Sequence, residues 1–319
     1  MDEVKQLEVV TFGETMGLLM PFQSLPIAQS ELFRRTFGGA ESNVAIGLAR
    51  LGHRVGWFGY LGDDPFGIAI RNAIRGEGVD VSRVRLLKEA PTGIMFREMQ
   101  YGQVSVYYYR STSAARNFRP EDLDEAYIRQ ARILHLTGIT PALSDSCRET
   151  VFAAAEMAKK HRVKLSFDPN FRSKLWTADE AREVIWKLAG MADYFLPGMD
   201  ELKLLFPGLD EAAICRKLEE LPGVKVVKGD GETMLLEPGR QPTAVPWFKA
   251  HRFVDPIGAG DGFCAGFLSG VLRGQPLAEA VRLGNLIGSI VVQGPGDWES
   301  LPSAEYVDSV LQGKKHIER

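Results

Sequence analysis

Two glycine-rich stretches and one carboxylate carry the chemistry that can be read from this chain. The run Asp255-Pro256-Ile257-Gly258-Ala259-Gly260-Asp261-Gly262-Phe263 leads into a helical pattern with Cys264, Phe267, Leu268, Val271 and Leu272 on one face. Glycines ahead of a helix let successive backbone N–H groups point at an anion, where the helix dipole also favours negative charge. Asp261 stands at that spot. A carboxylate among phosphate-gathering amides is placed to take a proton from a hydroxyl as its oxygen attacks phosphorus. It is equally what a plain helix N-terminus favours, at about 0.5 kcal/mol. The local residues leave both readings open. Neither common phosphate motif is present: G-x-x-x-x-G-K-S/T occurs nowhere, and G-x-G-x-x-G fails at Phe263.

Near the other end, Gly38-Gly39-Ala40-Glu41-Ser42-Asn43-Val44-Ala45 opens a helix that Gly52 ends after Arg50-Leu51. Taken alone it is a capped helix with Asn43 near its start. Gly59-Tyr60-Leu61-Gly62-Asp63-Asp64-Pro65-Phe66-Gly67 then follows a strand. Two further polar clusters sit where strands end. Tyr108-Tyr109-Arg110 closes a strand-like run, and Asp168-Pro169-Asn170-Phe171-Arg172 follows another. Two arginines converging on one pocket suit an anionic acceptor, because guanidinium meets carboxylate in a bidentate fork. The plainer alternative is that Arg110 and Arg172 are solvated or pair with surface acids.

Alternating elements must hold these residues. Leu7 to Phe12, Val55 to Tyr60, Ile133 to Leu136, Val163 to Phe167 and Val224 to Val227 read as buried strands. Amphipathic stretches lie between them. The clearest starts at Thr177, with Glu180 as its capping-box partner and Ala181, Val184, Ile185, Leu188 and Ala189 at helical spacing. Strand and helix in alternation give parallel strands covered by helices on both faces, with ligands gathering at the carboxyl ends of the strands. Residues 13–38 and 91–113 break this rhythm. The runs Ile94–Met99 and Val104–Tyr109, joined through Gln100-Tyr101-Gly102-Gln103, predict a hairpin. Pieces so small do not fold alone. We expect one domain over residues 1–319 with a small β-sheet lying over it as a lid, a dimerisation surface or both.

Composition narrows the classes. The 319 residues carry 38 Lys+Arg against 41 Asp+Glu, a net charge of −3 that gives no reason to expect nucleic acid or an anionic membrane as partner. The C-terminal Lys314-Lys315 is a short solvated pair. Cys147, Cys215 and Cys264 form no C-x-x-C, which suits a reducing compartment. The histidines lack metal-site spacing, so no zinc centre is readable. With no basic, apolar leader and no stretch of about 18 apolar residues, the expectation is a cytoplasmic protein.

Taken together, the two glycine-rich segments resemble the ribokinase-like (pfkB) family of carbohydrate kinases. Gly38 to Ala45, with the spacing to Gly52 and Gly62, is similar to the family's N-terminal signature. Asp255 to Gly266 follows its C-terminal signature, D-T/P-x-G-A-G-D-x-F-x-x-G. The resemblance spans essentially the whole chain. It implies an α/β fold, a three-layer α/β/α sandwich with a mostly parallel central sheet and a small β-sheet lid, with ATP as phosphoryl donor and Mg²⁺ held mainly by phosphates and water. By the same resemblance Asp261 is the catalytic base, and the loop Gly258-Ala259-Gly260 with the amides of Ala259, Gly260 and Asp261 forms the anion hole.

Within the family the pattern is most similar to kinases that phosphorylate the terminal hydroxyl of 2-keto-3-deoxygluconate. Those share a Gly-x-x-x-Asn stretch, a Tyr-x-Arg on the lid and an Arg after the middle strand. His135-Leu136-Thr137-Gly138-Ile139-Thr140 and Lys174-Leu175-Trp176 add to the likeness. Carried over by position, the acceptor contacts are Gly39, Ala40, Glu41, Ser42, Asn43, Tyr108, Arg110, Arg172 and Asp261, with Asp297 a further candidate. The nucleotide falls to Asn170, to Lys228-Gly229-Asp230-Gly231-Glu232-Thr233, to the Gly258–Gly260 loop and to Asn285 near the adenine. Glu201 would hold Mg²⁺ through water. Three positions depart from the pattern. Met95 replaces a tyrosine after Thr92-Gly93-Ile94, Gly198 replaces the Asn of an Asn-x-x-Glu, and residues 228–233 place their glycines differently. The alternatives are a kinase for a neutral sugar such as fructose or ribose, one for a related aldonic acid, or a non-catalytic nucleotide- or sugar-binding protein on the same fold. An exposed lid edge also leads us to expect a homo-oligomer, a dimer or larger.

Overall fold

Val9 and Val10 are adjacent in sequence and belong to different hydrophobic cores. The same split separates Ile133 from Leu134, Val226 from Val227 and Leu235 from Leu236. Successive strand residues point to opposite faces of a sheet, so a central sheet with apolar residues on both sides must be covered on both sides.

The computed structural model describes residues 6–23, 25–101 and 103–313. Its strands are β1 (Val9–Phe12), β2 (Met16–Pro21), β3 (Phe33–Gly38), β4 (Val55–Phe58), β5 (Tyr60–Gly62), β6 (Arg85–Leu87), β7 (Ile94–Gln100), β8 (Gln103–Tyr109), β9 (Ile133–Thr137), β10 (Lys164–Asp168), β11 (Tyr194–Phe195), β12 (Val224–Lys228), β13 (Glu232–Leu236) and β14 (Thr243–Pro246). Its helices are α1 (Ala40–Arg50), α2 (Pro65–Gly76), α3 (Glu125–Arg129), α4 (Asp145–Lys160), α5 (Ala178–Met191), α6 (Met199–Leu205), α7 (Glu211–Leu218), α8 (Ala259–Leu272), α9 (Leu277–Val291) and α10 (Ala304–Leu311).

The large sheet runs β14-β13-β12-β11-β10-β9-β1-β4. Strands β12 through β4 pair in parallel, and β13 pairs antiparallel with both β12 and β14. One face packs against α4 and α5, whose Cys147, Val151, Ile185 and Leu188 are buried there. The other packs against α1, α8 and α9 through Val44, Leu48, Phe267 and Ile287. Helix α5 begins at Thr177 with the expected capping box, and Ala181, Val184, Ile185, Leu188 and Ala189 are its buried positions.

A separate four-stranded sheet, β3-β2-β7-β8, is built from the segments that broke the alternation. Strands β7 and β8 form the hairpin, with Gln100 opposite Gln103. Tyr101 reaches φ 52° in its turn. Gly102, like Lys314-Lys315, lies outside the described residues. Strands β3 and β8 form the edges of this small sheet, and no described helix is long and apolar enough to cross a membrane.

Candidate active site

Strand β10 ends at Asp168 and strand β12 at Lys228, both at the carboxyl edge of the large sheet where the helix α8 N-terminus arrives. The Lys228 ammonium donates to Asp168 Oδ2 at 3.1 Å. Burial alone would drive that ammonium toward its neutral form; the Asp168 carboxylate reverses this and holds its pKa above the usual lysine range. Lys228 lies between two cavities and lines both, as do Pro256 and Gly260.

The first cavity, about 470 Å³, lies between the large sheet and the small one. Asp261 opens into it from the first turn of α8, and Asn43 Nδ2 donates to Asp261 Oδ2 over 2.7 Å. Burial pushes the Asp261 carboxyl up to about 8; the Asn43 hydrogen bond pulls against this, while the Asp168 carboxylate adds to it. The Asn43 amide oxygen, Oδ1, is buried without a hydrogen-bond partner.

Gly258 caps α8 in the left-handed region, at φ 81°. A Cβ there would run into the Asp297 carbonyl, and at Gly260 it would reach only toward the Lys228 ammonium, across open space. The amide of Ala259 donates to the Pro256 carbonyl at 3.3 Å. Among the described residues nothing accepts from the amides of Gly258, Gly260 or Asp261. The free donors of this turn are therefore the amides of 258, 260 and 261, while the Ala259 amide, expected among the anion donors, is engaged by the Pro256 carbonyl.

Of the expected acceptor contacts, Gly39, Ala40, Asn43, Tyr108, Arg110, Arg172, Asp261 and Asp297 line this cavity. Glu41 and Ser42 do not. Glu41 turns the other way, accepting from Thr137 Oγ1 at 2.7 Å and Thr140 Oγ1 at 2.9 Å at the end of β9. Ser42 donates to the Gly39 carbonyl and accepts from Thr15, pinning the helix start. Met95 also lines the cavity, with its thioether beside Gly38.

Three charged residues were not foreseen. Glu14 lines the cavity, pairs with the Arg110 guanidinium and accepts from Ser113 at 2.7 Å. Arg97 on β7 bridges Asp297 at 2.6 Å and Asp255 at 3.0 Å, all three nearly buried. Burial pushes the Asp297 carboxyl up to about 6, with Arg97 restraining it. Asp168, named in sequence only as part of a loop, is the counter-ion of Lys228 and also accepts from Cys264 Sγ at 3.2 Å. Position at a strand's carboxyl end was the signal for Asp168; Arg97 and Glu14 carried none.

The second cavity is an apolar groove of about 640 Å³ walled by Trp247, Phe248, Phe253, Phe263 and Val292. Lys228, Gly231, Thr233 and Asn285 line it, whereas Gly229, Asp230 and Glu232 turn outside it. Asn285 spends its amide on the protein: it accepts from Thr233 at 2.7 Å and donates to the Val245 and Pro246 carbonyls. It shapes the groove's wall by holding β14. Asn170, expected on the nucleotide side, lines the first cavity instead, at φ 38°.

Glu201 lines the first cavity too, accepting from the amides of Gly198 and Phe171, each at 2.7 Å. Burial and the nearby Asp168 carboxylate raise its pKa. Among the described residues no three carboxylate, thiol or imidazole groups converge as a ligand cage. Two carboxylates on a cavity wall, Asp168 and Glu201, fit a Mg²⁺ that keeps its water and is held chiefly by phosphates.

A buried carboxylate beside unbonded backbone amides, at the junction of a polar cavity and an apolar groove, is an arrangement that suits phosphoryl transfer. Comparison with known proteins decides the family: the pfkB family carbohydrate kinase profile matches residues 6–304. The chain belongs to the pfkB family. It is 37% identical over 317 residues to 2-dehydro-3-deoxygluconokinase of Bacillus subtilis, covering 98% of each chain. It is 28% identical to 5-dehydro-2-deoxygluconokinase of Clostridium tetani, covering 98% of this chain and 95% of that one. A crystal structure of 2-dehydro-3-deoxygluconokinase from Thermotoga maritima superposes with a TM-score of 0.87 at 28% identity, covering 96% of this chain and 98% of the other. This pfkB kinase has the ribokinase-like layered fold with a small second sheet.

Proposed function

We propose that this pfkB kinase transfers the γ-phosphoryl group of ATP to the terminal hydroxyl of 2-keto-3-deoxygluconate, also called 2-dehydro-3-deoxygluconate, giving 2-keto-3-deoxy-6-phosphogluconate. The observation that carries the reading is one cavity with Asp261 at one end and the guanidinium groups of Arg110 and Arg172 in its wall. A six-carbon keto acid presents a hydroxyl to the first and a carboxylate to the second. The name and identity of the Bacillus subtilis relative support the same acceptor.

In this reading Asp261 accepts the hydroxyl proton, and the freed oxygen attacks the γ-phosphorus in line as the bond to the ADP oxygen breaks. The amides of Gly258, Gly260 and Asp261 and the Lys228 ammonium stabilise charge on the transferred group. Glu201 and Asp168 would hold a Mg²⁺ through its water, and the ion would supply charge neutralisation at the phosphate oxygens. The apolar groove takes the adenosine. The small sheet, packed over the acceptor, excludes competing water.

Coupled ADP release tests this with 2-keto-3-deoxygluconate, 5-dehydro-2-deoxygluconate, fructose, ribose and gluconate. A clear preference for the first is expected; turnover of a neutral sugar alone would discard the carboxylate argument. Asp261→Asn should cost about 100-fold or more in kcat while ligands still bind, and unchanged turnover would remove the base. Arg110→Ala, paired with Glu14→Gln so that no buried charge is stranded, should cost the keto acid about 2–5 kcal/mol in kcat/KM. The free thiols Cys147, Cys215 and Cys264 suit a cytoplasmic enzyme. Pairing of two copies across an exposed edge of the small sheet is part of the proposal. A monomer by light scattering at micromolar concentration would remove it.

A further inference from the structure

Behind the acceptor cavity lies another of about 540 Å³, whose charged lining is Arg110, Arg116, Arg172 and Lys174. No carboxylate lines it among the described residues. In a chain of net charge −3 such a one-signed wall is not an average of composition. Tyr108 stands between two of the cations, with Arg110 at 5.4 Å and Lys174 at 5.7 Å from its ring. Lys174 also donates to the Val106 carbonyl at 2.8 Å, which fixes its ammonium at the cavity wall. Arg110 is paired, with Glu14 on the acceptor side. Neither Arg116 nor Arg172 forms an ion pair among the described residues. Tyr108, Arg110 and Arg172 line both cavities and so form the partition between them.

A cleft walled by one sign of charge focuses its field and raises the local concentration of the opposite ion. We propose that this cavity is an antechamber that captures the carboxylate of a small sugar-acid acceptor and passes it to the Arg110–Arg172 partition, with Arg116 and Lys174 as its specificity-determining cations. This rests on the sugar-acid reading above. The nucleotide reaches the site by a different route, the apolar groove on the far side of Lys228. The antechamber should therefore act on the acceptor and leave the donor untouched.

The test is steady-state kinetics of the whole enzyme with Mg-ATP and 2-keto-3-deoxygluconate, at low and high salt, for the unmodified chain, for Arg116→Glu/Lys174→Glu and for Arg116→Gln/Lys174→Gln. At low salt the charge reversal should raise KM for the keto acid about tenfold, the neutral pair should fall between, and the difference should shrink at high salt. The KM for ATP and kcat should hold, which also reports that the fold is intact. A KM for the keto acid that ignores the reversal, or that rises equally at both salts, overturns the antechamber while leaving the kinase. Absence of keto-acid turnover by the unmodified enzyme overturns both readings, and turnover of neutral sugars in the same assay identifies that case. Should the reversed variant not fold, the neutral pair decides by the same criteria.

Discussion

Asn43 and Asp261 are 218 residues apart, and their side chains meet across 2.7 Å. One sits in the first turn of α1, the other in the first turn of α8. The amide stabilises the ionised carboxylate, against a burial that pushes its pKa up to about 8. The proposed base role requires an ionised carboxylate, so under that proposal kcat/KM should rise with pH through that value. Replacing Asn43 with Leu removes the opposing hydrogen bond and should move this acid limb to higher pH. A pH profile of kcat/KM checks it; a limb that stays in place or moves down would show that Asn43 does not tune the base.

Arg97 is the only cation bonded to Asp255 or Asp297 among the described residues. Arg97→Met would leave two buried carboxylates facing each other, at a cost of about 3–5 kcal/mol. Thermal melts should register a large drop in Tm, with Arg97→Lys recovering part of it. Equal melting of Arg97→Met and the unmodified chain would mean the network carries no net stability.

Gly258→Ala combines a left-handed backbone, φ 81°, with a methyl group driven against the Asp297 carbonyl. The strain is about 1–3 kcal/mol, and any relief displaces the unbonded amides proposed to gather the phosphate. We expect kcat to fall more than the affinity for the acceptor. A variant with full kcat would mean the cradle tolerates a different loop path.

Glu41 offers a stability test independent of turnover. Burial raises its pKa from 4.5 to about 7, so the folded state holds a proton that the unfolded chain has released. Its contribution to stability is present below the unfolded value and is lost as pH rises through about 7. Glu41→Gln keeps an acceptor for Thr137 and Thr140 without the titration. Its stability should exceed that of the unmodified chain at pH 8 and approach it at pH 5. Denaturant titrations at both values measure this, and parallel pH dependence of the two proteins would refute it.

What the sequence made legible follows its local periodicities. The α5 capping box, the alternation of parallel strands and the turn before α8 each depend on residues within a few positions of one another, and each formed as read. Glu41 shows the limit and the helical geometry that passes it. Residues two apart on a helix face different ways, whereas those three apart share a face. With Asn43 and Ala40 on the cavity side, Glu41 had to point toward the sheet. Arg97 and Glu14 had no such clue, since each acquires its meaning from partners brought near only by the fold: Asp297 and Asp255 for one, Arg110 for the other.

The packing of α1 on α8 also governs how this chain is made. Gly47 of α1 lies so close to Ala265 of α8 that a methyl group on the glycine would collide with it. During synthesis from the N-terminus, the side of α1 at Gly47 that faces α8 waits uncovered until a helix more than two hundred residues downstream has left the ribosome, although Val44 and Leu48 can already pack on the early strands. Contacts of such long sequence separation form slowly, and the waiting apolar surface is open to aggregation. The step that finally hides it also brings Asp261 to Asn43. Recovery of catalysis after denaturation should therefore coincide with the last burial of this surface.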